Sequence, residues 1–301
     1  MATSIFEQGA VLRQRADRRI VTVLGTDRVD YLQRMLSQDI VALEPGSAAD
    51  ACVLTPQGKL VGMPTVLHGG EVHLMDLDDA TVADVVARLE RTVITEDVSF
   101  LVRDDETERF TLAGAGAGER LGALLASPPG PGCHVLTRGL GVLRRDLGRV
   151  PAYELFLDAG SRDEILDALS PFGVVERDDW DALRVAERIP AWGAELGPEV
   201  MPLEVRLGDT AISFAKGCFP GQEPVAMAHH RGHPANLLVR VALTGGAPEA
   251  GTPLEADGRG AGRLTTIAGD RALALVRWDR VEEGAELALE GGGTARLLDG
   301  R

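Results

Sequence analysis

Between Phe214 and Pro224 the chain reads Phe-Ala-Lys-Gly-Cys-Phe-Pro-Gly-Gln-Glu-Pro, so a primary amine, a thiol, an amide, a carboxylate and two glycines fall within Lys216 to Glu223. A nucleophilic Cys218 needs a neighbouring base, and His229, His230 and His233 follow closely in the chain. The same histidines form an H-H-x-x-H spacing that suits a metal poorly, because two are adjacent and no carboxylate joins them. Gly217 and Gly221 allow backbone conformations that bring main-chain N–H groups close to a ligand. Pro220 and Pro224 stiffen the loop around them. The plainer alternative is a tight turn carrying an inert thiol, since free cysteines are usually buried and unreactive. Met201 to Arg240 carries a net charge of +1 while the rest of the chain carries −16, so an anionic small ligand is acceptable here.

Composition adds a hint about individual positions. Lys59 and Lys216 are the only lysines beside 29 arginines, and Asn236 is the only asparagine. Where charge alone matters arginine suffices, so a surviving lysine suggests a requirement for a compact ammonium.

The elements that position this segment follow from pattern. Ile20 to Leu24 is a β-branched strand, and Thr26 or Asp27 can cap a helix presenting Val29, Leu32, Met35 and Leu36. Ala51 to Thr55 and Lys59 to Leu67 read as strands joined at Pro56-Gln57-Gly58, with a third strand from Glu71 to Met75. Helical spacing recurs at Val82, Val85, Val86 and Leu89, and Val98 to Val102 returns as a strand. Gly114-Ala-Gly116-Ala-Gly118 imitates a dinucleotide loop, but the G-x-G-x-x-G fingerprint fails in both registers, which leaves a flexible Ala/Gly turn. Ser127 to Gly132 reads as a linker, and helices are expected over Ser161 to Leu169 and Asp178 to Glu187. From about His233-Pro234 onward, short apolar runs separated by Gly, Pro and Asp turns predict a small β-barrel.

A chain of 301 residues corresponds to about two domains at roughly 150 residues each. With 46 acidic against 31 basic side chains it lacks the basic footprint of a general nucleic-acid binder, so no direct nucleic-acid contact is expected. Three scattered cysteines, Cys52, Cys133 and Cys218, make no C-x-x-C, so no local zinc or four-thiolate cluster site is expected. No apolar run approaches the ~20 residues of a membrane helix and no signal peptide is recognisable, so a cytoplasmic protein without membrane contact is expected.

Lys216-Gly-Cys-Phe-Pro-Gly-Gln-Glu223, followed by Arg231-Gly232, resembles the signature of the YgfZ family of folate-binding proteins. These are relatives of the glycine-cleavage aminomethyltransferase and of a mitochondrial iron–sulfur assembly factor. Gly25-Thr-Asp27 with Leu36-Ser-Gln-Asp39, the turn Thr55-Pro-Gln-Gly58-Lys59, and Pro202-Leu-Glu204 look like further family segments. The resemblance implies an α+β fold: a ring of three subdomains, two of them mixed α/β with ferredoxin-like elements, around a central pocket, with a small C-terminal β-barrel. It places boundaries at 1–50 plus 133–233, 51–132 and 234–301. It implies tetrahydrofolate, or a one-carbon derivative, as cofactor, with the signature loop lining the pocket. Cys218 would be the functional thiol, and Lys216, Gly217, Gly221, Gln222, Glu223, Arg231 and Glu204 would serve the folate. The implied function is support of iron–sulfur enzymes, including tRNA-modifying ones, through transient contact with iron–sulfur proteins or assembly factors.

Two departures separate the chain from the aminomethyltransferase branch. After the hairpin glycine that branch has an aspartate pair, whereas Gly58-Lys-Leu-Val-Gly62-Met63-Pro64 has no carboxylate. A missing general acid or base costs a factor of roughly 10²–10⁴ in rate, which argues against glycine cleavage. The glutamate of R-x-E-x-G-x-P is replaced by Ala186 counting from Arg184, with Glu187 one residue away. Folate-dependent one-carbon transfer or demethylation stays as the alternative function.

Overall fold

The computed structural model describes residues 4–103, 107–137 and 139–301. Two antiparallel-based sheets and a closed barrel make up its three units. The first sheet has five strands in the order Ala48–Asp50, Thr65–His68, His73–Asp78, Arg18–Leu24 and Ser99–Arg103. Helices Arg28–Met35 and Asp79–Glu90 cover one face through Tyr31, Leu32, Val82, Val85 and Leu89; helical periodicity selects all of these but Tyr31.

The expected strand from Lys59 to Leu67 is broken. Pro64 has no N–H to give a ladder, so Leu60–Gly62 pairs with Val53–Leu54 while Thr65–His68 crosses into the five-stranded sheet. Met63 is left at the corner.

The second sheet orders His134–Thr137, Leu140–Arg144, Ala152–Asp158, Thr107–Ala113, Val11–Gln14 and Gly173–Val174, the last pairing parallel. Boundaries near 50 and 132 therefore do not follow the sheets. Residues 18–24 and 48–50 belong with 65–103, and 107–113 belongs with 134–158. The Ser127–Gly132 segment leads into Cys133, which bridges to Ser47 of the other unit. The Gly114–Gly118 turn is tightly packed rather than flexible: a Cβ on Gly114, whose φ is +113°, would lie 2.3 Å from the Gly9 carbonyl oxygen.

The backs of the two sheets meet through Ile20, Leu67, Leu143 and Phe156. Beside this apolar seam runs a buried ionic one. Arg109 Nη2 donates to Asp76 at 2.9 Å, Arg18 grips the same carboxylate at 3.0 Å, and the Arg109 guanidinium lies 3.7 Å over the Phe156 ring. Glu154 accepts from Thr111 Oγ1 at 3.0 Å and stands 3.9 Å from Arg109 and 3.8 Å from Arg15. Asp76 comes from the first sheet, and Arg109, Thr111 and Glu154 from the second.

The barrel is closed by six strands between Asn236 and Leu297, and closure leaves no unpaired edge. No described helix is long and apolar enough to cross a membrane.

Burial pushes the Asp76 carboxyl up, but Arg109 and Arg18 outweigh it and hold it well below the ordinary range. A folded pKa below the unfolded one stabilises the native state above about pH 4, and that stabilisation drains away as pH falls below it. Asp76→Asn should cost about 3–5 kcal/mol at pH 7, the range for breaking a buried pair. Urea denaturation from pH 7 to pH 3 should show a lower midpoint and a shallower acid-side loss than the unaltered protein. Identical acid-side slopes would place the acid lability elsewhere.

Candidate functional site

The three units enclose a central cavity of about 1580 Å³. Its floor is the second sheet and the turn after it, with Arg13, Arg15 and Glu154. One wall is helix Arg177–Glu187, with Trp180, Asp181 and Arg184. The loop 189–196 and the barrel strand carrying Arg263, Thr265 and Thr266 complete it. Seven arginines and seven carboxylates line this hollow, so it is balanced although the chain carries −15.

Most of those charges are already paired. Arg15, Arg18, Arg145, Arg177 and Arg184 each hold a carboxylate. Among the described residues Arg13 and Arg263 have no ion-pair partner. Arg13 stacks 4.3 Å over the Trp180 ring and leaves its Nη1 buried without an acceptor. Burial, with Arg15 adding to it, pushes its guanidinium down to about 10, a cation short of a counter-charge. Glu154 Oε1 and Thr265 Oγ1 are likewise buried without hydrogen bonds. Cross-strand register puts Arg13 and Glu154 on either side of Thr111, on one face of the sheet. Unmet buried polar atoms are costly, and three of them belong to residues that line this one hollow.

The wall next to the barrel is pinned by a fully buried carboxylate. Glu195 accepts from Arg184, from Thr266 Oγ1 at 2.6 Å and from the Ala191 N–H at 3.0 Å. It partners Arg184 where Glu187 does not: Glu187 faces outward, paired with Arg149 at 2.8 Å, and Ala186 gives its carbonyl to Arg240. Met63 lines the cavity at the corner before Pro64. A carboxylate does stand in the same wall, Asp50, brought beside Met63 because Ala51 N–H bonds the Pro64 carbonyl. Both its oxygens are engaged, by Thr65 Oγ1 at 2.6 Å and Arg145 at 3.0 Å.

The signature loop lies outside this wall. None of Lys216, Gly217, Cys218, Gly221, Gln222, Glu223, Arg231 or Glu204 belongs to the cavity wall. Gly217, Cys218, Glu223 and Arg231 are exposed on the outer surface. The histidines give Cys218 no hydrogen-bonded base: His229 stacks on Phe214 and His233 on Trp278. Among the described residues no three His, Cys, Asp or Glu side chains are grouped to hold a metal.

Comparison with known proteins places this architecture. The C-terminal β-barrel domain of CAF17 matches residues 238–297. The tRNA-modifying protein YgfZ of Vibrio vulnificus is 30% identical over 243 residues, 78% of this chain and 72% of that one. The chain belongs to the YgfZ family. The YgfZ of Sodalis glossinidius is 29% identical over 79% of this chain and 74% of its own length. A putative chloroplastic transferase of Arabidopsis thaliana is 25% identical over 90% of this chain but only 64% of its own. The glycine cleavage system aminomethyltransferase T of Bartonella henselae shares the fold, with a TM-score of 0.84 at 17% identity over 99% of this chain and 87% of that one.

In this YgfZ chain the signature residues act as joints. Lys216 Nζ donates to three carbonyls at the end of helix Arg28–Met35: Gln33, Leu36 at 2.6 Å and Gln38 at 2.9 Å. An ammonium satisfies converging carbonyls at a helix C-terminus and meets its negative end, whereas a planar guanidinium cannot aim three donors at one point. Burial lowers the Lys216 amine to about 8, with Asp39 opposing, so it remains mostly cationic at neutral pH. Gly221, at φ +81°, starts helix Gln222–His230, and a Cβ there would sit 2.3 Å from the Thr55 carbonyl oxygen of the hairpin turn. Gly58 returns the contact, since its Cβ would meet Pro224 at 3.0 Å. Glu204 takes the Met201 N–H at 2.9 Å and Asn236 Nδ2 at 2.8 Å, with Lys59 at 3.8 Å. Both lysines and the one asparagine thus serve these joints.

Motif reading passed over Arg13, Glu154, Trp192, Glu195, Arg263 and Thr265. Glu154 had a signal, a lone acid inside the apolar run Ala152-Tyr-Glu-Leu-Phe-Leu157. Glu195 and Arg263 had none, because Glu195 meets Thr266 and Arg263 faces the cavity only once the barrel closes on it. Lys216→Met should lower unfolding stability by about 1.5–3 kcal/mol, the scale of a charged hydrogen-bonding group. Lys216→Arg should recover less than half of that in urea denaturation. Full recovery by arginine would show that charge alone is what the joint needs.

Proposed function

We propose that the protein binds tetrahydrofolate, or a one-carbon derivative of it, in the central cavity and supports iron–sulfur enzymes, among them enzymes that modify tRNA. The observation that carries this reading is the set of unmet groups on the cavity wall: Glu154 Oε1, Thr265 Oγ1 and the unpaired guanidiniums of Arg13 and Arg263. A folate is complementary to such a set, with an amino–imino edge that a carboxylate accepts and an anionic tail that arginine binds. Glu154 is deep, 2% exposed, and suits the pterin edge; Arg263 is exposed at the mouth and suits the tail carboxylates. When bound, tetrahydrofolate supplies a carrier for one-carbon units. Glu154 orients it, and the Arg13–Trp180 stack holds a fixed positive charge over the floor.

Met63 at the corner and the doubly engaged Asp50 leave no free carboxylate at the position after the hairpin turn, which favours a binding role over glycine cleavage. The second reading, folate-dependent one-carbon transfer, draws on that same Asp50, which would first have to leave Arg145. Incubation with tetrahydrofolate and methylated amine donors decides between them, sustained turnover supporting the transferase. The iron–sulfur role draws on Cys218, an exposed thiol on a loop anchored by Lys216, which fits transient contact with a cluster or a partner thiol. All three cysteines are free, in keeping with a reducing cytoplasm.

Calorimetric titration with 5-formyltetrahydrofolate should show binding that weakens roughly ten- to hundredfold in Glu154→Gln and about tenfold in Arg263→Ala, as expected for hydrogen bonds to charged groups. Unchanged affinity in both variants, or no binding by the unaltered protein, overturns the cavity assignment. Cys218→Ala should leave that affinity intact and abolish rescue of iron–sulfur enzyme activity in a deletion strain. Full rescue removes the role given to the thiol.

A further inference from the structure

The chain has three tryptophans, and two have their rings already covered. Arg13 and Arg15 lie over Trp180 at 4.3 and 5.6 Å, while His233 and Arg301 lie over Trp278 at 5.4 and 5.6 Å. Trp192 is different. It lines the central cavity, packs part of its surface on the core around Leu196 and Val200, and has no aromatic or cationic group over its ring among the described residues. Its indole N–H donates to no protein acceptor there.

The loop that holds Trp192 is unusually determined for its length. The Ala191 carbonyl accepts from the N–H groups of Ala194, Glu195 and Leu196 at 3.3, 3.1 and 3.0 Å, and Gly193 N–H returns to the Leu196 carbonyl at 2.9 Å. Gly193 turns the chain at φ +82°, a conformation that costs glycine little. Inside this ring the buried Glu195 ties the loop to Arg184 of the helix wall and Thr266 of the barrel. A planar apolar face fixed on a hydrogen-bonded scaffold, between a helix and a barrel strand that both line the hollow, is preorganised for stacking.

We propose that Trp192 is the stacking platform for the planar heterocycle of the cavity's ligand, with Glu195 as the positioning residue that sets it. The inference deepens the folate reading and rests on it. It assigns the pterin half, rather than the aminobenzoylglutamate half, to the Trp192 wall, because Arg263, exposed at the mouth, answers the anionic tail.

The test uses the full chain with 5-formyltetrahydrofolate, a free pterin and p-aminobenzoylglutamate, followed by calorimetry and tryptophan fluorescence. The pterin should quench the emission of the unaltered protein, and the quench should shrink markedly in Trp192→Phe, the remainder coming from Trp180, which lines the same cavity. Affinity for 5-formyltetrahydrofolate should fall about tenfold or more in Trp192→Ala and stay within about threefold in Trp192→Phe, as stacking on a sequence-tolerant aromatic face requires. Thermal melts of both variants confirm that they fold. Folate binding that is unaltered in Trp192→Ala, or a quench undiminished in Trp192→Phe, overturns this inference while leaving the folate reading intact. A quench by p-aminobenzoylglutamate alone also overturns the assignment of the halves. Absence of any folate binding by the unaltered protein overturns the folate reading itself and the platform with it.

Discussion

The pair of salt bridges that Asp76 makes with Arg109 and Arg18 is the constraint on which the rest of the molecule depends. Two sheets can meet back to back through apolar side chains alone, and here Ile20, Leu67, Leu143 and Phe156 do so. Such a seam slides at small cost, because dispersion is nearly indifferent to register. A buried carboxylate shared by two guanidiniums is not indifferent, since moving any one of the three leaves an uncompensated charge out of water. The ionic seam therefore selects one relative placement of the sheets. Glu154 belongs to that seam on one side and to the cavity floor on the other, so the position of a ligand-facing carboxylate is set by the packing of the domain core.

Joints of a second kind hold the outer segments to this frame. The ammonium of Lys216 closes the end of one helix, Gly221 and Gly58 let a hairpin turn touch a helix start, and Glu204 gathers three chain segments. A motif dense in chemically capable groups invites a ligand-centred explanation. In this chain the amine and one of the two glycines of the motif are used up in holding the loop, and the thiol is what remains outside. Geometry separates these roles where residue type does not: an amine among three carbonyls has no donor left for a carboxylate ligand.

How much of this was legible in sequence follows from how local each determinant is. The helix carrying Val82, Val85 and Leu89, the strand at Ile20 to Leu24 and the terminal barrel were readable because periodicity and turn residues act over a few positions. The break at Pro64 was readable in principle, since a proline in an apparent strand argues against continuity. Strand Val11–Gln14 was invisible because its partners lie about a hundred and about a hundred and sixty residues away, at Ala113 and Gly173. For the same reason the sheet boundaries escaped a linear division of the chain. The cavity was legible only as an expectation from resemblance. Its wall is assembled from isolated side chains, one or two per element, whose spacing in sequence carries no period.

That dispersal also makes the charge of the cavity independent of the charge of the chain. A charge of −15 spread over the surface is screened beyond about 8–10 Å at physiological salt, so it sets the long-range field and little else. Inside the hollow, carboxylates and guanidiniums are equal in number, and several cancel in pairs at 2.9–3.7 Å. Left over from that cancellation, among the described residues, are two guanidiniums and the carboxylates of Asp78 and Glu249, all without ion-pair partners, and one Glu154 oxygen without a hydrogen-bond donor. Removing Asp50, which holds Arg145, would free that arginine and tip the balance positive, while removing Arg13 or Arg263 would tip it the other way. Selectivity in such a site rests on which charges are unpaired, a property of the fold that net charge and local composition do not reveal.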